Sequence, residues 1–130
     1  MAKYRGYIGT YTKADSVGIY TFELDTEKKA LSTPKPAAKL GSPTYLNIAK
    51  DNDMLYAVVK DGDKGGVAAY RIDGSTGELT IVNQQTGEGP SPCHVSVDQD
   101  NRYVLSANYH NGTILAYPLN ESRGLLEPSS

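Results

Sequence analysis

Residues Gly41–Gly62 read G-S-P-T-Y-L-N-I-A-K-D-N-D-M-L-Y-A-V-V-K-D-G, and Gly89–Gly112 read G-P-S-P-C-H-V-S-V-D-Q-D-N-R-Y-V-L-S-A-N-Y-H-N-G. These are two copies of one phrase. Each opens on a proline-bearing turn, runs through a short strand, reverses at an Asp/Asn cluster and runs back through a second strand. Short β-branched and aromatic runs bounded by Gly, Pro, Asn and Asp are strand signals. Both histidines of the chain lie in the later copy. His94 falls near the start of its first strand and His110 just past the end of its second. An antiparallel pairing brings those two ends to one edge of a sheet.

The likeness extends outward on both sides. Ser42 to Ser91 is 49 positions, Phe22 to Tyr70 is 48 and Tyr70 to Tyr117 is 47. Leu31 to Leu79 is 48 and Leu79 to Leu126 is 47. A repeat of about 40 to 50 residues holding four short strands is the signature of a propeller blade. The alternative is a two-sheet sandwich with accidental similarity. Turns, prolines and apolar positions coincide together, which argues against accident.

The expected strands are Tyr4–Thr12, Gly18–Asp25, an edge segment within Ala30–Lys39, Thr44–Ala49, Met54–Lys60, Val67–Asp73, Glu78–Gln84, Cys93–Val97, Arg102–Tyr109 and Thr113–Leu119, with another opening at Gly124–Leu126. Pro34 and Pro36 confine the 30–39 segment to a sheet edge, because proline cannot donate to a ladder. Asp61–Gly66 reads as a glycine-rich loop, and Asn111-Gly112 as a strong turn dipeptide. No window keeps a 3.6-residue apolar spacing for three turns, so no helix is expected. The fold class is all-β: propeller blades of four antiparallel strands, in one domain over residues 1–130. The units span 4–39, 43–86 and 92–130. The first opens at its second strand, with no innermost strand before it; the last stops at the start of its outermost strand. Closure of a propeller ring needs about four or more blades, so this chain is expected to be part of a ring.

Thirteen basic residues stand against 15 acidic ones. That balance gives no electrostatic reason to expect nucleic acid. No apolar run approaches the roughly 20 residues needed to span a bilayer. The opening residues M-A-K-Y-R-G-Y-I-G lack an apolar stretch of the secretory kind. The single cysteine, Cys93, excludes an internal disulfide framework and suits a reducing cytoplasm. Open strand edges at both ends of such a fragment favour self-association.

Taken in order, K-Y-R-G-Y-I-G-T-Y-T, S-V-G-I-Y-T-F-E-L-D-T-E-K-K-A-L, G-S-P-T-Y-L, G-G-V-A-A-Y-R-I-D, G-P-S-P-C-H-V-S-V-D and S-A-N-Y-H-N-G resemble the bacterial lactonase propeller family along the whole chain. The resemblance implies a seven-bladed ring built on a repeat of about 48 residues, of which about three blades are represented here. It also implies hydrolysis of 6-phosphogluconolactone to 6-phosphogluconate in the oxidative pentose phosphate route, without a cofactor or metal. The block of histidine, glutamate and arginine usually suspected of catalysis would then lie beyond Ser130, leaving this stretch inactive alone.

Strand direction fixes which loops share a rim. If innermost strands run down, second strands run up. The turns entering innermost strands then lie beside the loops leaving second strands. Gly41-Ser42-Pro43, Pro90-Ser91-Pro92, Tyr11-Thr12-Lys13, Lys60-Asp61-Gly62 and Asn108-Tyr109-His110 thus meet on one rim, with His94 just below. A phosphorylated sugar lactone would use Lys13 and Lys60 for its phosphate and Asn108, Tyr109 and His110 for its hydroxyls. His94 is the candidate for assisting water. The competing expectation for His94 is a buried ring bonded to a neighbouring strand. For Asn108 and His110 it is a turn role, and for the lysines a solvated one.

Cys93 and His94 are strand neighbours, so their side chains diverge and a nucleophile–base pair is not expected. Asp51-Asn52-Asp53 and Asp98-Gln99-Asp100-Asn101 lack the glycine and distal glutamate of a calcium loop and lie on the opposite rim. Ser42 and Ser91 precede prolines outside any G-x-S-x-G context and read as turn residues. Two other functions stay open on the same frame: hydrolysis of another sugar lactone or a muconate-lactonising activity, and a non-catalytic scaffold presenting its rim to a partner.

Overall fold

A computed structural model describes residues 2–129. These residues form three antiparallel sheets and no helix. None of their segments is therefore a helix long and apolar enough to cross a membrane.

The first sheet contains β1 (Lys3–Ile8), β2 (Gly18–Asp25), β3 (Ala30–Leu31) and β4 (Lys35–Lys39). Strands β3 and β4 both pair with β2 and form one interrupted edge strand, broken at Ser32–Pro34. The prolines sit on that edge as expected, with Pro36 opposite Tyr20. Gly6 faces Phe22 in the register, and a Cβ there would collide with the Phe22 ring.

The second sheet runs β5 (Leu46–Ile48), β6 (Met54–Asp61), β7 (Lys64–Ile72) and β8 (Leu79–Glu88), in that order. The third runs β9 (His94–Val97), β10 (Tyr103–Asn108) and β11 (Thr113–Pro118). A fourth position beside β11 is marked only by the bridges Leu119–Leu125 and Ala116–Ser129. These are propeller blades stacked face to face, the second complete with four strands, the first without an innermost strand and the third with its outermost position marked only by bridges. Leu55, Ala57 and Val59 of β6 pack with Ile19, Leu40, Ala68 and Tyr70 between the first and second sheets. Met54, Tyr56 and Val58 pack with Val67, Val95, Val104, Tyr117 and Leu125 between the second and third.

Three expectations are corrected. The Tyr4–Thr12 strand ends at Ile8, and residues 9–17 form a loop. Gly9 presses on the Pro43 carbonyl, where a side chain would not fit, and Thr10 bonds Gly18 O at 2.6 Å rather than a strand partner. The Asp61–Gly66 stretch is a two-residue hairpin, with Asp61 opposite Lys64 and both Gly65 and Gly66 inside β7. Glycine is needed there because Pro90-Ser91 and the Gln85 carbonyl approach the backbone too closely for a Cβ. The Glu78–Gln84 strand continues to Glu88, following β7 along its whole length.

The turns between third and outermost strands share one device. Asp25 Oδ1 accepts from the Glu27 and Lys28 amides, Asp73 Oδ1 from Ser75 and Thr76, and Asn120 Oδ1 from Ser122 and Gly124. Such side-chain caps mimic a backbone turn. Each later turn is gripped by the sheet before it. Tyr7 Oη donates to Gly77 O at 2.6 Å and Arg5 Nη2 to Ser75 O at 3.4 Å. At the next seam Tyr56 Oη donates to Arg123 O at 3.1 Å and Arg71 Nη2 to Ser122 O at 2.8 Å. Asn83 adds a two-point contact at that seam, receiving Leu125 N and donating to Leu125 O, each at 2.8 Å. Arg123 also forms an ion pair with Asp53.

Candidate functional site

One end of the stacked sheets gathers the loops that strand direction placed together. A depression of about 610 Å³ is lined by Tyr11 and Lys13 from the β1–β2 loop, and by Ser42 and Thr44 from the turn entering β5. Lys60 at the end of β6, Pro90–Cys93 before β9, and Tyr109 and His110 after β10 complete it. Its size is in the range of small-molecule sites, and most of the residues that line it carry a polar side chain.

Four predicted residues, Lys13, Lys60, Tyr109 and His110, therefore share one concavity. All four are exposed. The Lys13 ammonium lies 5.4 Å from the centroid of the Tyr11 ring, a cation–π distance. The Tyr109 and His110 rings lie against each other, centroids 4.2 Å apart and 31° between planes. The cavity thus presents two cations, one of them over an aromatic face, a chemistry suited to an anionic group on a body with C–H faces.

Asn108 is close by but differently engaged. Its side chain is buried; Nδ2 donates to Pro90 O at 2.9 Å and Oδ1 accepts from the His110 amide at 3.0 Å. It holds the Pro90 turn and the start of the His110 loop in place. It lines a smaller cavity of about 110 Å³ between the second and third sheets instead.

His94 is also outside the depression. The expectation of a buried histidine bonded to a neighbouring strand is not met: the side chain is exposed and makes no hydrogen bond among the described residues. Its ring packs on Tyr45, centroids 4.4 Å apart and tilted by 43°. Tyr45 and His94 occupy the same place in their respective repeats, one residue before β5 and at the start of β9. The innermost strands of neighbouring sheets thus bring equivalent rings together. In the register His94 sits opposite Ala107, three residues before His110, so both histidines lie at one sheet end. Cys93 lines the depression while His94 turns to Tyr45, the divergence that strand geometry requires.

The opposite rim carries turn chemistry. Asn52 and Asn101 take the left-handed conformation at equivalent positions, φ 59° and 56°. Asp98 Oδ1 accepts from the Arg102 and Tyr103 amides at 2.7 and 2.9 Å, and the Tyr103 amide bond is the main cause of its lowered carboxyl pKa. No group of three or more metal-ligating side chains occurs among the described residues.

The contact that sequence reading missed is between Thr12 and Ser42. The Ser42 amide donates to Thr12 Oγ1 at 3.0 Å, the Thr12 amide donates to Ser42 Oγ at 3.2 Å, and the two hydroxyls are 3.1 Å apart. Ser42 had read as a turn residue, and nothing local distinguishes it from Ser91. Its positive φ of 40° is the structural mark that sets it apart.

Comparison with known proteins gives a consistent result. Residues 5–130 match the family model described as lactonase, 7-bladed beta-propeller. The chain is 59% identical over 130 residues to the 6-phosphogluconolactonase of Bacillus subtilis strain 168, covering all of this chain and 37% of that protein. A crystal structure of a protein from Lactobacillus plantarum superposes with a TM-score of 0.90 at 37% identity, covering 99% of this chain and 37% of that one. The periplasmic gluconolactonase of Pseudomonas aeruginosa superposes with a TM-score of 0.88 at 27% identity, covering 99% of this chain and 39% of that one. The chain thus spans little more than a third of the length of the relatives it matches.

Proposed function

The chain belongs to the lactonase family of seven-bladed β-propellers, and on that basis we propose that it forms part of a hydrolase opening 6-phosphogluconolactone to 6-phosphogluconate. The observation that carries the reading is the rim depression, which collects Lys13 and Lys60 with Tyr109 and His110 from all three sheets. In this reading the two ammonium groups hold the phosphate as point charges. Tyr109 and His110 meet the sugar hydroxyls. Ester hydrolysis further needs a base for water and a donor for the developing oxyanion. His94 lies at the start of an innermost strand with its ring nitrogens unbonded among the described residues, and we assign it the assisting role toward water. The other catalytic groups are assigned to blades beyond those described. Similarity to the Bacillus subtilis enzyme supports the substrate class. A cytoplasmic location belongs to the same reading, supported by the lone thiol.

A complete lactonase-family protein carrying this sequence is expected to release 6-phosphogluconate from its lactone, measured by proton release. The 130-residue chain alone is expected to show no turnover. Failure of the complete protein to hydrolyse any sugar lactone would leave the scaffold reading in its place. A second substrate reading, an unphosphorylated gluconolactone, is favoured by the likeness to the Pseudomonas aeruginosa gluconolactonase. Comparing kcat/KM for the phosphorylated and plain lactones separates the two.

A further inference from the structure

Two exposed lysines on separate elements, Lys13 in the β1–β2 loop and Lys60 near the end of β6, form a phosphate site only if their backbones are held at a fixed separation. Both are tethered to one dipeptide. The Lys60 amide donates to Gly41 O at 2.8 Å, and Gly41 lies so close to the Lys60 carbonyl that a Cβ would collide with it. The next residue, Ser42, exchanges hydrogen bonds with Thr12, the immediate neighbour of Lys13. Thr12 points to the Ser42 side of its loop, while Tyr11 and Lys13 line the depression. The loop is braced at its base as well, where Thr10 Oγ1 bonds the Ser16 hydroxyl and Gly18 O.

Ser42 holds a left-handed backbone that glycine would adopt at less cost, and its hydroxyl is what a glycine there would lack. The seam between the second and third sheets has no such latch. Ser91, the counterpart of Ser42, makes no side-chain hydrogen bond among the described residues, and Asn108 bonds Pro90 O instead. There the β6–β7 connection is a two-residue hairpin, whereas the β1–β2 loop of residues 9–17 needs an outside support.

We propose that Thr12 and the Gly41-Ser42 turn are positioning residues, a latch that sets the spacing of Lys13 and Lys60 and thereby the preference for a phosphorylated ligand. The proposal rests on the phosphate reading of the depression. Its test is calorimetric binding of 6-phosphogluconate and of gluconate to a complete lactonase-family protein carrying this sequence. Lys13→Ala and Lys60→Ala test the reading itself and should each weaken 6-phosphogluconate by about tenfold or more while sparing gluconate.

Thr12→Val keeps the volume and removes the hydroxyl. It should weaken 6-phosphogluconate several-fold with gluconate unchanged, and Thr12→Ser should restore it. Ser42→Gly, which relieves the backbone while removing the other hydroxyl, should reproduce the loss even if Thr12→Val melts early. If the lysine variants lose the phosphate preference while Thr12→Val and Ser42→Gly keep it, the latch is overturned and the phosphate site stands. If the lysine variants bind both ligands as the parent does, the phosphate site falls and the latch with it. Equal weakening of both ligands in Thr12→Val, unrelieved by Thr12→Ser, also overturns it, since that marks general damage.

Discussion

Strands β6 and β10 hold the same place in successive repeats, yet one is buried on both faces and the other on one. From Met54 to Val59 every residue of β6 is shielded, alternate side chains facing the first and the third sheet. Along β10 the pattern alternates strictly: Val104, Ser106 and Asn108 are buried while Tyr103, Leu105 and Ala107 are exposed. The difference is not one of strand chemistry. It comes from neighbours, because a stacked unit is covered only where another unit lies against it. The surface formed by Tyr103, Leu105 and Ile114 is apolar for that reason.

Truncation gives the largest test of this contrast. Tyr56→Ala removes a ring wedged between two sheets together with its bond to Arg123 O, and should cost about 3–5 kcal/mol in urea denaturation. Leu105→Ala, at the matching position, should cost under about 0.5 kcal/mol in the 130-residue chain. Equal losses would break the comparison. In a complete ring the Leu105 cost should rise to about 2–5 kcal/mol.

Next in size is association. An uncovered apolar face beside unpaired strand edges drives self-contact. The 130-residue chain should form concentration-dependent oligomers by light scattering, and Leu105→Lys with Ile114→Lys should return it toward monomer. Association unaffected by these changes would place the contact elsewhere.

A smaller effect is alkaline. Burial pushes the Tyr56 hydroxyl from 10.0 up to about 12. A raised folded-state pKa means that the stabilisation is complete below pH 10 and is lost as pH climbs from 10 toward 12. Tyr56→Phe should flatten that part of the stability profile, read by thermal melts across the range.

The smallest is acidic. The Ser75 hydroxyl bond, followed by the Ser75 and Thr76 amide bonds, holds the Asp73 carboxyl down at about 2. A lowered pKa stabilises fully above pH 3.8, and the benefit fades as pH falls from 3.8 toward 2. Asn120 builds the same turn in the third sheet with a group that does not titrate. Asp73→Asn should therefore remove a small acid-sensitive component from the second sheet, measurable as a reduced slope of melting temperature against pH.

Much of this architecture could be read from spacing. The 47- to 49-residue repeat, the edge prolines and the Asp/Asn turns depend on nearby residues, and the structure has them where expected. The rim could be read as well, because strand direction alone decides which loops meet; Lys13, Lys60, Tyr109 and His110 share a cavity for that reason. What could not be read depends on distant neighbours. Gly65 and Gly66 resembled a loop because the chain that crowds them, at Gln85 and Pro90-Ser91, lies well downstream. The Thr12–Ser42 contact joins residues 30 apart with no local sign in the sequence; the glycine-like backbone of the serine shows only in the structure. His94 was located at the correct sheet end, but its pairing with Tyr45 depended on how two innermost strands approach.

The grip of each sheet on the next has an evolutionary consequence. The donors, Tyr7 with Arg5 and Tyr56 with Arg71, belong to the gripping unit, while the acceptors are main-chain carbonyls of Gly77, Ser75, Arg123 and Ser122. A carbonyl is present whatever residue carries it. These four bonds therefore ask of the gripped turn only its shape, whereas the Arg123–Asp53 ion pair asks for a side chain as well. Successive copies can therefore change the side chains of the gripped turn without losing these bonds, but the donor is not kept in every unit: Leu105 stands in the third where Tyr7 and Tyr56 stand in the first and second.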